Sequence, residues 1–297
     1  MDKVLVTGAN GLLGHYLINE LAGNGFEVVA TGKGKARLSD LPDNVRYFEA
    51  DITHPFALRS VIEMERPGVV VHAAAMTQVD ECEQQQSLAH VVNVEATARL
   101  LLDAEEFSSF FVFVSTDFVF DGLRGMYTEE DDTHPVNWYG HTKQEAEAIV
   151  HTSSIPWAIV RTCLVYGNIP HHSRTNIVTW VKQSLEEGKE IKVVNDQFRT
   201  PTYAADLAKG IRLVIQQRAE GIWHISGEEP ATPYVLANKV AEFFNLDKTL
   251  IREVNSSTFS QPGKRPSRTG FDIAKAKAVL GYQPLGLDDG LKLCFGK

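Results

Sequence analysis

Residues 3–17 read KVLVTGANGLLGHYL, and this stretch decides the fold class. A short β-branched run leads into three glycines spaced Gly-x-x-Gly-x-x-Gly, and an apolar pattern typical of a helix begins at once. Such spacing lets Gly8 turn the chain sharply, Gly11 admit a pyrophosphate against the backbone, and Gly14 pack the helix closely on the strand. The stretch therefore predicts a dinucleotide-binding turn, with a plain strand-to-helix turn as the alternative. The predicted cofactor contacts in the turn are Gly8, Asn10, Gly11, Leu12 and Gly14.

Around this turn, short β-branched runs alternate with amphipathic stretches through the first 165 residues. The alternation is typical of a parallel sheet wrapped by helices, and several runs are apolar throughout, as expected when both faces of a sheet are covered. The predicted strands are Lys3–Thr7, Glu27–Thr31, Val45–Glu49, Gly68–His72, Phe110–Ser115 and Trp157–Arg161, and the predicted helices are Leu12–Gly23, Pro55–Glu65, Ser87–Glu106 and Tyr139–Val150. We therefore predict an α/β fold in which residues 1–165 form a doubly wound, parallel Rossmann sheet that binds NAD(P).

Beyond residue 165 the alternation of β-branched runs and amphipathic stretches becomes less regular, and polar stretches with Gly and Pro surround further helix-like segments. These segments are Asn176–Glu187, Ala204–Gln217, Pro233–Asn245 and Asp272–Leu280. Residues 166–297 are therefore predicted to form a smaller, mixed C-terminal lobe that binds the substrate. The boundary is soft, because the segment at 204–217 could pack back on the main sheet.

The composition excludes several classes of protein. With 38 acidic and 29 basic residues the net charge is −9, and no Lys/Arg-dense run offers a surface for the backbone of a nucleic acid. The most apolar run, Gly68–Met76, contains a histidine and is far shorter than the roughly 20 residues that span a bilayer. The sequence therefore predicts neither a nucleic-acid partner, nor a membrane segment, nor a signal peptide.

The cysteines indicate the cellular compartment, and the histidines are the residues to consider for metal binding. Three cysteines, at positions 82, 163 and 294, are odd in number and widely spaced, which favours reduced thiols in a cytoplasmic protein over a disulfide framework. The adjacent His171 and His172 would point apart on an extended loop, and no cluster of Cys, His or carboxylate ligands lies near them in sequence. No metal site is predicted.

The segment after the second predicted strand bears on the choice of cofactor. An acidic residue normally ends this strand and binds the ribose hydroxyls of NAD, but residues 31–37 read TGKGKAR and contain no carboxylate. Lys33 or Arg37 could pair with a 2′-phosphate, which favours NADPH over NADH, with a solvated basic loop as the alternative. Asp51 and Ile52 follow the third predicted strand, where an acidic and apolar pair could hold the adenine. A place at the N-terminus of a helix is an equal alternative for Asp51.

A phenol, an ammonium and a hydroxyl are the candidate catalytic groups. Tyr139 and Lys143 are four residues apart, which on a helix places them on one face, and a nearby cation stabilises a phenolate. This spacing alone is common by chance. Thr116, however, lies at the end of the fifth predicted strand, and ligands of parallel sheets bind at such carboxyl ends. We therefore predict that the three side chains converge, with loop capping as the alternative role of Thr116.

At this point the sequence resembles an extended short-chain dehydrogenase/reductase and, within that superfamily, the dTDP-4-dehydrorhamnose reductase family. The resemblance runs over nearly the whole chain. Besides the glycine turn and the Tyr-x-x-x-Lys spacing, it rests on His72-Ala73-Ala74-Ala75, Val92-Asn93, Ser115-Thr116-Asp117-Phe118-Val119-Phe120-Asp121-Gly122, Tyr166-Gly167, Pro201-Thr202 and Arg265-Pro266.

The resemblance implies a role for each group. Tyr139 would be the proton donor, Lys143 would hold the nicotinamide ribose and lower the pKa of Tyr139, and Thr116 would hydrogen-bond the carbonyl. The reaction implied is NADPH-dependent reduction of the 4-keto group of a nucleotide-linked deoxysugar, with conversion of dTDP-4-dehydrorhamnose to dTDP-rhamnose as the first candidate. The resemblance also implies cofactor contacts at Ala73, Ala74 and Ala75 and substrate contacts at Thr77, Val79 and Asn176.

Two positions depart from the family pattern. Ile177 replaces an aromatic residue that is common in relatives, and Arg199 stands where rhamnose-pathway enzymes often have Gly. A nucleotide-diphosphate sugar carries two charges that an acidic protein must bind with local cations. We therefore expect Arg199 and Arg265 to bind the diphosphate, with surface arginines as the alternative.

Two further functions stay open at this point. An epimerase or dehydratase would keep NAD bound, but dehydratases of the superfamily follow the active-site Thr with Asp-Glu, whereas Phe118 follows Asp117 here. A regulatory protein is the other, because the sequence is similar to the regulatory subunit of methionine adenosyltransferase. The sugar, the nucleotide and the oligomeric state, with a homodimer as one option, are left undetermined.

Overall fold

The computed structural model describes residues 2–38, 41–169 and 175–296, so His171 and His172 lie outside the described residues. In chain order its strands are β1 (Lys3–Thr7), β2 (Glu27–Gly32), β3 (Val45–Glu49), β4 (Val69–His72), β5 (Phe110–Thr116), β6 (Trp157–Thr162), β7 (Val165–Tyr166), β8 (Ile191–Val194), β9 (Thr202–Tyr203), β10 (Gly221–His224) and β11 (Ile251–Val254). Its α-helices are α1 (Leu12–Gly23), α2 (Ala57–Glu65), α3 (Val79–Gln84), α4 (Gln86–His90), α5 (Ala96–Glu106), α6 (Trp138–His151), α7 (Ile177–Glu186), α8 (Ala204–Gln217), α9 (Pro233–Phe244) and α10 (Leu287–Phe295).

Seven strands form a parallel sheet in the order β10-β6-β5-β4-β1-β2-β3, which confirms the predicted doubly wound fold. Two small parallel sheets, β11-β8 and β7-β9, lie outside it. The chain order reverses between β1 and β4, whose last residues Thr7 and His72 are paired. In such sheets this switch point opens a crevice at the carboxyl ends of the strands. The glycine turn follows β1 directly and therefore lies at the crevice.

Apolar cores cover both faces of the sheet. Val4 and Val6 of β1 point into one core, and Leu5 between them points into the other. Alternate residues of a strand face opposite sides, so a strand buried on both faces must be apolar throughout. This explains why the strands of the first half lack an alternating pattern.

The last third of the chain contributes to two different cores. Strand β10 pairs with β6 at the edge of the main sheet, and α8 packs against α1. Helices α7, α9 and α10 form a separate core with the small sheets. The division into residues 1–165 and 166–297 stays a prediction.

The predicted helix at 87–106 is interrupted. The chain forms α4, then one π-helical turn at Val91–Glu95, and then α5. The wider turn holds the buried side chain of Asn93, which bonds both backbone groups of Met76. No described helix is both long enough and apolar enough to cross a membrane.

Candidate active site

The glycine turn is packed too closely against its own backbone to accept side chains at Gly8 and Gly14. Gly8 has a φ of +76°, and a Cβ there would lie 2.9 Å from the backbone nitrogen of Ala74. A Cβ on Gly14 would lie 2.3 Å from the carbonyl oxygen of Gly8. The N-cap of α1 is Gly11, which supplies no capping side chain, and the first turn has no acidic residue. The N–H groups of the helix start, including that of Leu12, are thus placed to bind an anion, which fits a dinucleotide pyrophosphate.

The basic loop, residues 33–37, is tied to this turn by Asn10. The Asn10 amide donates to the carbonyl oxygen of Lys33 at 3.1 Å and accepts from the Arg37 N–H at 2.9 Å. It also donates to the Tyr47 hydroxyl at 2.9 Å. Asn10 therefore acts through its side chain, because it fixes the conformation of the loop beside the phosphate-binding turn. Neither Asn10 in this role nor Tyr47 has a signal in the sequence pattern.

Lys33 and Asp51 form an ion pair at the edge of the same site. Lys33 Nζ lies 2.9 Å from Asp51 Oδ2, and the Lys33 side chain is 83% exposed. The hydrogen bond from Lys33 lowers the pKa of Asp51 to about 2. Asp51 also accepts from the Thr53 N–H at 3.0 Å, so it caps the turn before α2, while Ile52 packs against the core. A 2′-phosphate would compete with Asp51 for the Lys33 ammonium.

The structure brings Thr116, Tyr139 and Lys143 together around the end of β5. Thr116 is the last residue of β5, and its side chain is hydrogen-bonded to the buried phenol of Tyr139 in the first turn of α6. Lys143, one turn later, donates from Nζ to the Val114 carbonyl at 2.7 Å and lies 3.8 Å from the centroid of the Phe113 ring. The structure therefore brings the hydroxyl and the phenol together and holds the ammonium at the Val114 carbonyl of β5, while a catalytic role for the three groups stays a prediction.

The start of α6 is held tightly against the loop that follows β5. Asn137 caps the helix by accepting from the Gly140 N–H at 2.8 Å. A Cβ on Gly140 would lie 2.1 Å from the Phe118 carbonyl oxygen, so only glycine permits this approach. The close contact places Tyr139 next to Thr116.

Burial controls the protonation of the site. Removal from water raises the pKa of Tyr139, and the hydrogen bond with Thr116 opposes that shift. The expected lowering of this pKa by Lys143 is therefore not found, because burial outweighs the other effects on the phenol. Burial lowers the pKa of Lys143 to about 7, and the charge of Glu147 opposes that shift. Burial also lowers the pKa of His72 to about 3, with a smaller contribution from the charge of Lys143.

A buried hydrogen-bond network joins the glycine turn to α5. The Thr7 hydroxyl accepts from the N–H groups of Ala73 and Ala74 at 3.2 and 3.1 Å and lies 2.8 Å from His72 Nδ1. His72 Nε2 lies 3.0 Å from the Thr97 hydroxyl. Since His72 is neutral, Thr7 donates to Nδ1 and Nε2–H donates to Thr97. Ala73 and Ala74 are thereby held against the turn, and Ala75, also half-buried, follows them.

The structure gives Arg199 partners other than the expected diphosphate. Arg199 is 4% exposed, and its Nε lies 3.4 Å from the carboxylate of the buried Asp117. Its Nη1 donates to the carbonyl oxygens of Phe198 and Ser267 at 2.8 and 3.3 Å, and its Nη2 to that of Pro266 at 2.7 Å. The guanidinium is therefore enclosed by its own protein.

The other predicted substrate residues have different surroundings. Thr77 is exposed, and Val79 is buried in one cluster with Tyr139. Asn176 caps α7 by accepting from two N–H groups and donates to the Gly167 carbonyl at 2.7 Å. Both ends of its amide are thus engaged. Contacts of these residues with a substrate stay predictions.

Arg265 forms a two-pronged ion pair with Asp80, with N–O distances of 2.5 and 2.8 Å. The Arg265 side chain is 18% exposed, so a diphosphate would have to compete with Asp80 for it. Binding of the diphosphate by Arg265 stays a prediction. Among the described residues, no group of three or more His, Cys, Asp and Glu side chains could hold a metal ion.

Comparison with known proteins agrees with this geometry. The family model described as the RmlD substrate binding domain matches residues 2–297. The chain is 31% identical over 305 residues to a dTDP-4-dehydrorhamnose reductase of Aggregatibacter actinomycetemcomitans, covering 98% of each chain. It is 29% identical over 282 residues to the methionine adenosyltransferase 2 subunit beta of Pongo abelii, covering 93% of this chain and 82% of that protein.

A solved structure supports the same assignment. The crystal structure of dTDP-4-dehydrorhamnose reductase from Bacillus anthracis str. Ames in complex with NADP matches with a TM-score of 0.87 at 28% identity, covering 99% of this chain and 98% of that one. The resemblance stated from the sequence motifs is therefore confirmed. Since the family model spans nearly every residue and the fold matches over the same length, the chain belongs to the family of the RmlD substrate binding domain.

Proposed function

We propose that this protein is an NADPH-dependent oxidoreductase that reduces the 4-keto group of a nucleotide-linked deoxysugar. The observation that carries the proposal is the convergence of Thr116, Tyr139 and Lys143 at the end of β5, beside the glycine turn. Similarity to a dTDP-4-dehydrorhamnose reductase supports dTDP-4-dehydrorhamnose as the first substrate to test.

The residues around the glycine turn fit a dinucleotide. The backbone at Gly8, Gly11 and Leu12 would hold the pyrophosphate, and the basic loop, with Lys33 and Arg37, would hold the 2′-phosphate. The bound nicotinamide would supply a hydride to the carbonyl carbon. Since the basic loop has no carboxylate and is anchored by Asn10, we expect a preference for the phosphorylated cofactor.

Tyr139 is suited to the role of acid. The phenol carries a proton at neutral pH, since its ordinary pKa of about 10 is already well above that pH and burial raises it further. As the carbonyl gains a hydride, charge develops on its oxygen, and a phenol aimed there stabilises the transition state more than the ground state. As the family resemblance implies, Lys143, one turn later on α6, would stabilise the phenolate that remains.

The similarity to the methionine adenosyltransferase 2 subunit beta supports a second candidate, a regulatory subunit that binds the cofactor. An epimerase or dehydratase has less support. Asp117 is enclosed with Arg199, and its neighbour Phe118 provides no acid or base.

Turnover of a panel of nucleotide-linked 4-keto sugars with NADPH tests the proposal, with loss of nicotinamide absorbance as the signal. We expect Tyr139→Phe to lower kcat by at least about a hundredfold, because it deletes the proton donor and little packing. Cofactor affinity, measured by calorimetry, should stay within about twofold. A Tyr139→Phe enzyme with near wild-type turnover would refute the assignment of this residue. A wild-type protein that turns over no sugar but copurifies with a synthetase would favour the regulatory candidate.

A further inference from the structure

The hydroxyl of Thr116 has a complete set of hydrogen bonds before any substrate is present. It donates to Asp117 Oδ1 at 3.2 Å and accepts from the Phe118 N–H, also at 3.2 Å. Its remaining contact is with the phenol of Tyr139. A hydroxyl has one proton and can accept two hydrogen bonds. Because the single proton of Thr116 goes to Asp117, Thr116 offers the phenol only a lone pair in this state, and it can stabilise a phenolate only by turning that proton from Asp117 to the Tyr139 oxygen.

The direction of both protons therefore depends on the charge of Asp117. Oδ2 of Asp117 accepts from the Thr269 hydroxyl and faces Arg199 Nε. Asp117 is only 4% exposed, and this burial raises the pKa of its carboxyl and so favours proton uptake. Arg199 is the cation that opposes this proton uptake.

Arg199 is itself fixed in place. Its three other hydrogen bonds go to backbone carbonyls of residues 198, 266 and 267, so the guanidinium cannot swing toward the crevice without breaking them. It also lies 5.4 Å from the centroid of the Phe118 ring, and Phe118 packs edge-to-face against Tyr139. One buried cation thus joins two segments of the C-terminal third to the Thr116–Tyr139 pair.

We propose that Arg199 is a positioning residue, which keeps Asp117 ionised and thereby sets the direction of the hydroxyl protons of Thr116 and Tyr139. Only the kinetic part of the test rests on the proposed function, since the protonation of Asp117 can be observed without turnover. In this arrangement Thr116 acts as the hydrogen-bond acceptor that orients the phenol, and its own hydroxyl proton stays directed at Asp117. When Tyr139 gives up its proton, the Thr116 hydroxyl can turn to the phenolate. The positive charge of Arg199 compensates the carboxylate of Asp117 and so lowers the cost of removing the Thr116 hydrogen bond from it.

Substitution of Arg199 tests the proposal, with Arg268→Gln as the matched control. Arg268 directly follows Ser267, whose carbonyl accepts from Arg199. It is exposed and stacks on Phe198, so its loss removes an equal charge without affecting Asp117. We expect Arg199→Gln to lower kcat at least about tenfold with KM changed less than about threefold, and Arg199→Lys to recover part of the loss. The control should behave as wild type.

Infrared spectroscopy gives a readout that a purely structural role would not move. In Arg199→Gln we expect the absorption band of a protonated carboxylic acid at neutral pH, which disappears when Asp117→Asn is added. The other titratable groups that face Asp117 are Tyr139 and Cys163, and neither contributes to this band. The wild type and Arg268→Gln should lack it.

The outcomes separate this proposal from the proposed function. A raised KM with unchanged kcat would make Arg199 a substrate ligand and overturn the positioning role, as would unchanged kinetics without the new band. If Arg199→Gln does not fold by circular dichroism, Arg199→Lys carries the test, and kcat equal to the wild type with a large rise in KM would overturn the role. If the wild type turns over no sugar, the proposed function fails, while the infrared band still decides whether Arg199 keeps Asp117 ionised.

Discussion

At the scale of single residues, Lys143 is unusual because none of the described carboxylates forms an ion pair with its ammonium. Its Nζ bonds a backbone carbonyl and lies on the face of Phe113. Glu147, one helical turn further on, is engaged by Arg161 through a buried pair with a shortest N–O distance of 2.7 Å. A cation with so little compensation loses its proton more readily than an exposed lysine, which places its titration near neutral pH.

The pH dependence of activity follows from this environment. Below a pH of about 7 Lys143 carries its charge in the free enzyme, and as pH rises through that value the charge is lost. We therefore expect kcat/KM for the cofactor to fall on the alkaline side with an apparent pKa near 7. This ionisation should be missing from the pH profile of Lys143→Met. A profile that stays flat far above neutrality in the wild type would contradict this prediction.

Lys33 provides a second prediction at this scale. Its exposed ammonium pairs only with Asp51 among the described acidic groups, so it can exchange that partner for a 2′-phosphate. We expect Lys33→Ala to weaken NADPH binding about fivefold to twentyfold and NADH binding less than about twofold, by calorimetry. Lys35→Ala removes an equal charge from the same loop and is the comparison. An equal loss of affinity for both cofactors would show that Lys33 does not bind the 2′-phosphate.

At the scale of elements, the π-helical turn at Val91–Glu95 positions a polar side chain inside an apolar layer. Asn93 accepts from the Met76 N–H at 2.8 Å and donates to the Met76 carbonyl and the Thr142 hydroxyl, each at 3.0 Å. Thr142 in turn donates to the Tyr139 carbonyl at 2.8 Å. The turn thus links the segment after β4 to the helix that carries the phenol. Asn93 is 1% exposed, so water cannot replace these hydrogen-bond partners.

Removal of this side chain should be costly. Asn93→Ala removes three buried hydrogen bonds and leaves the Met76 N–H without its partner, so we expect the free energy of unfolding in urea to fall by about 2–4 kcal/mol. Thr142→Val leaves one of these bonds unmade and should cost about 1 kcal/mol. If the two variants lost equal stability, the bonds to Met76 would not be the source of the effect.

At the scale of the whole molecule, the C-terminal third completes the main sheet. Without β10 the edge of β6 would be open, and without α8 the apolar face of α1 would lose Leu207, Ile211 and Val214 as packing partners. Exposed apolar surface of this extent favours aggregation over a stable fold.

A fragment of residues 1–165 is therefore expected not to fold cooperatively, although it contains the glycine turn and the predicted catalytic residues. Thermal melting followed by circular dichroism, with the full chain as control, checks this. A sharp transition in the fragment, together with cofactor binding, would show that the predicted N-terminal domain is independent of the rest.

Local pattern was enough to predict much of the fold. The bounds of β1, β3, α1 and α8 coincide with those predicted, because side-chain periodicity and turn glycines act within a few residues. Local pattern also placed Thr116 at a strand end and Tyr139 and Lys143 one helical turn apart, while their roles stay predictions.

Long-range packing decided the rest. The sequence by itself determined that Gly8 turns the chain sharply and that the strands are buried on both faces, since both follow from neighbouring residues. It could not show that β10 pairs with β6, because a short strand has no local mark of its partner. Nor could it distinguish a cation that faces solvent from Arg199, whose partner Asp117 is brought to it only by the fold. The charge of a side chain is written in the sequence, but its desolvation and its counter-ion are properties of the tertiary structure.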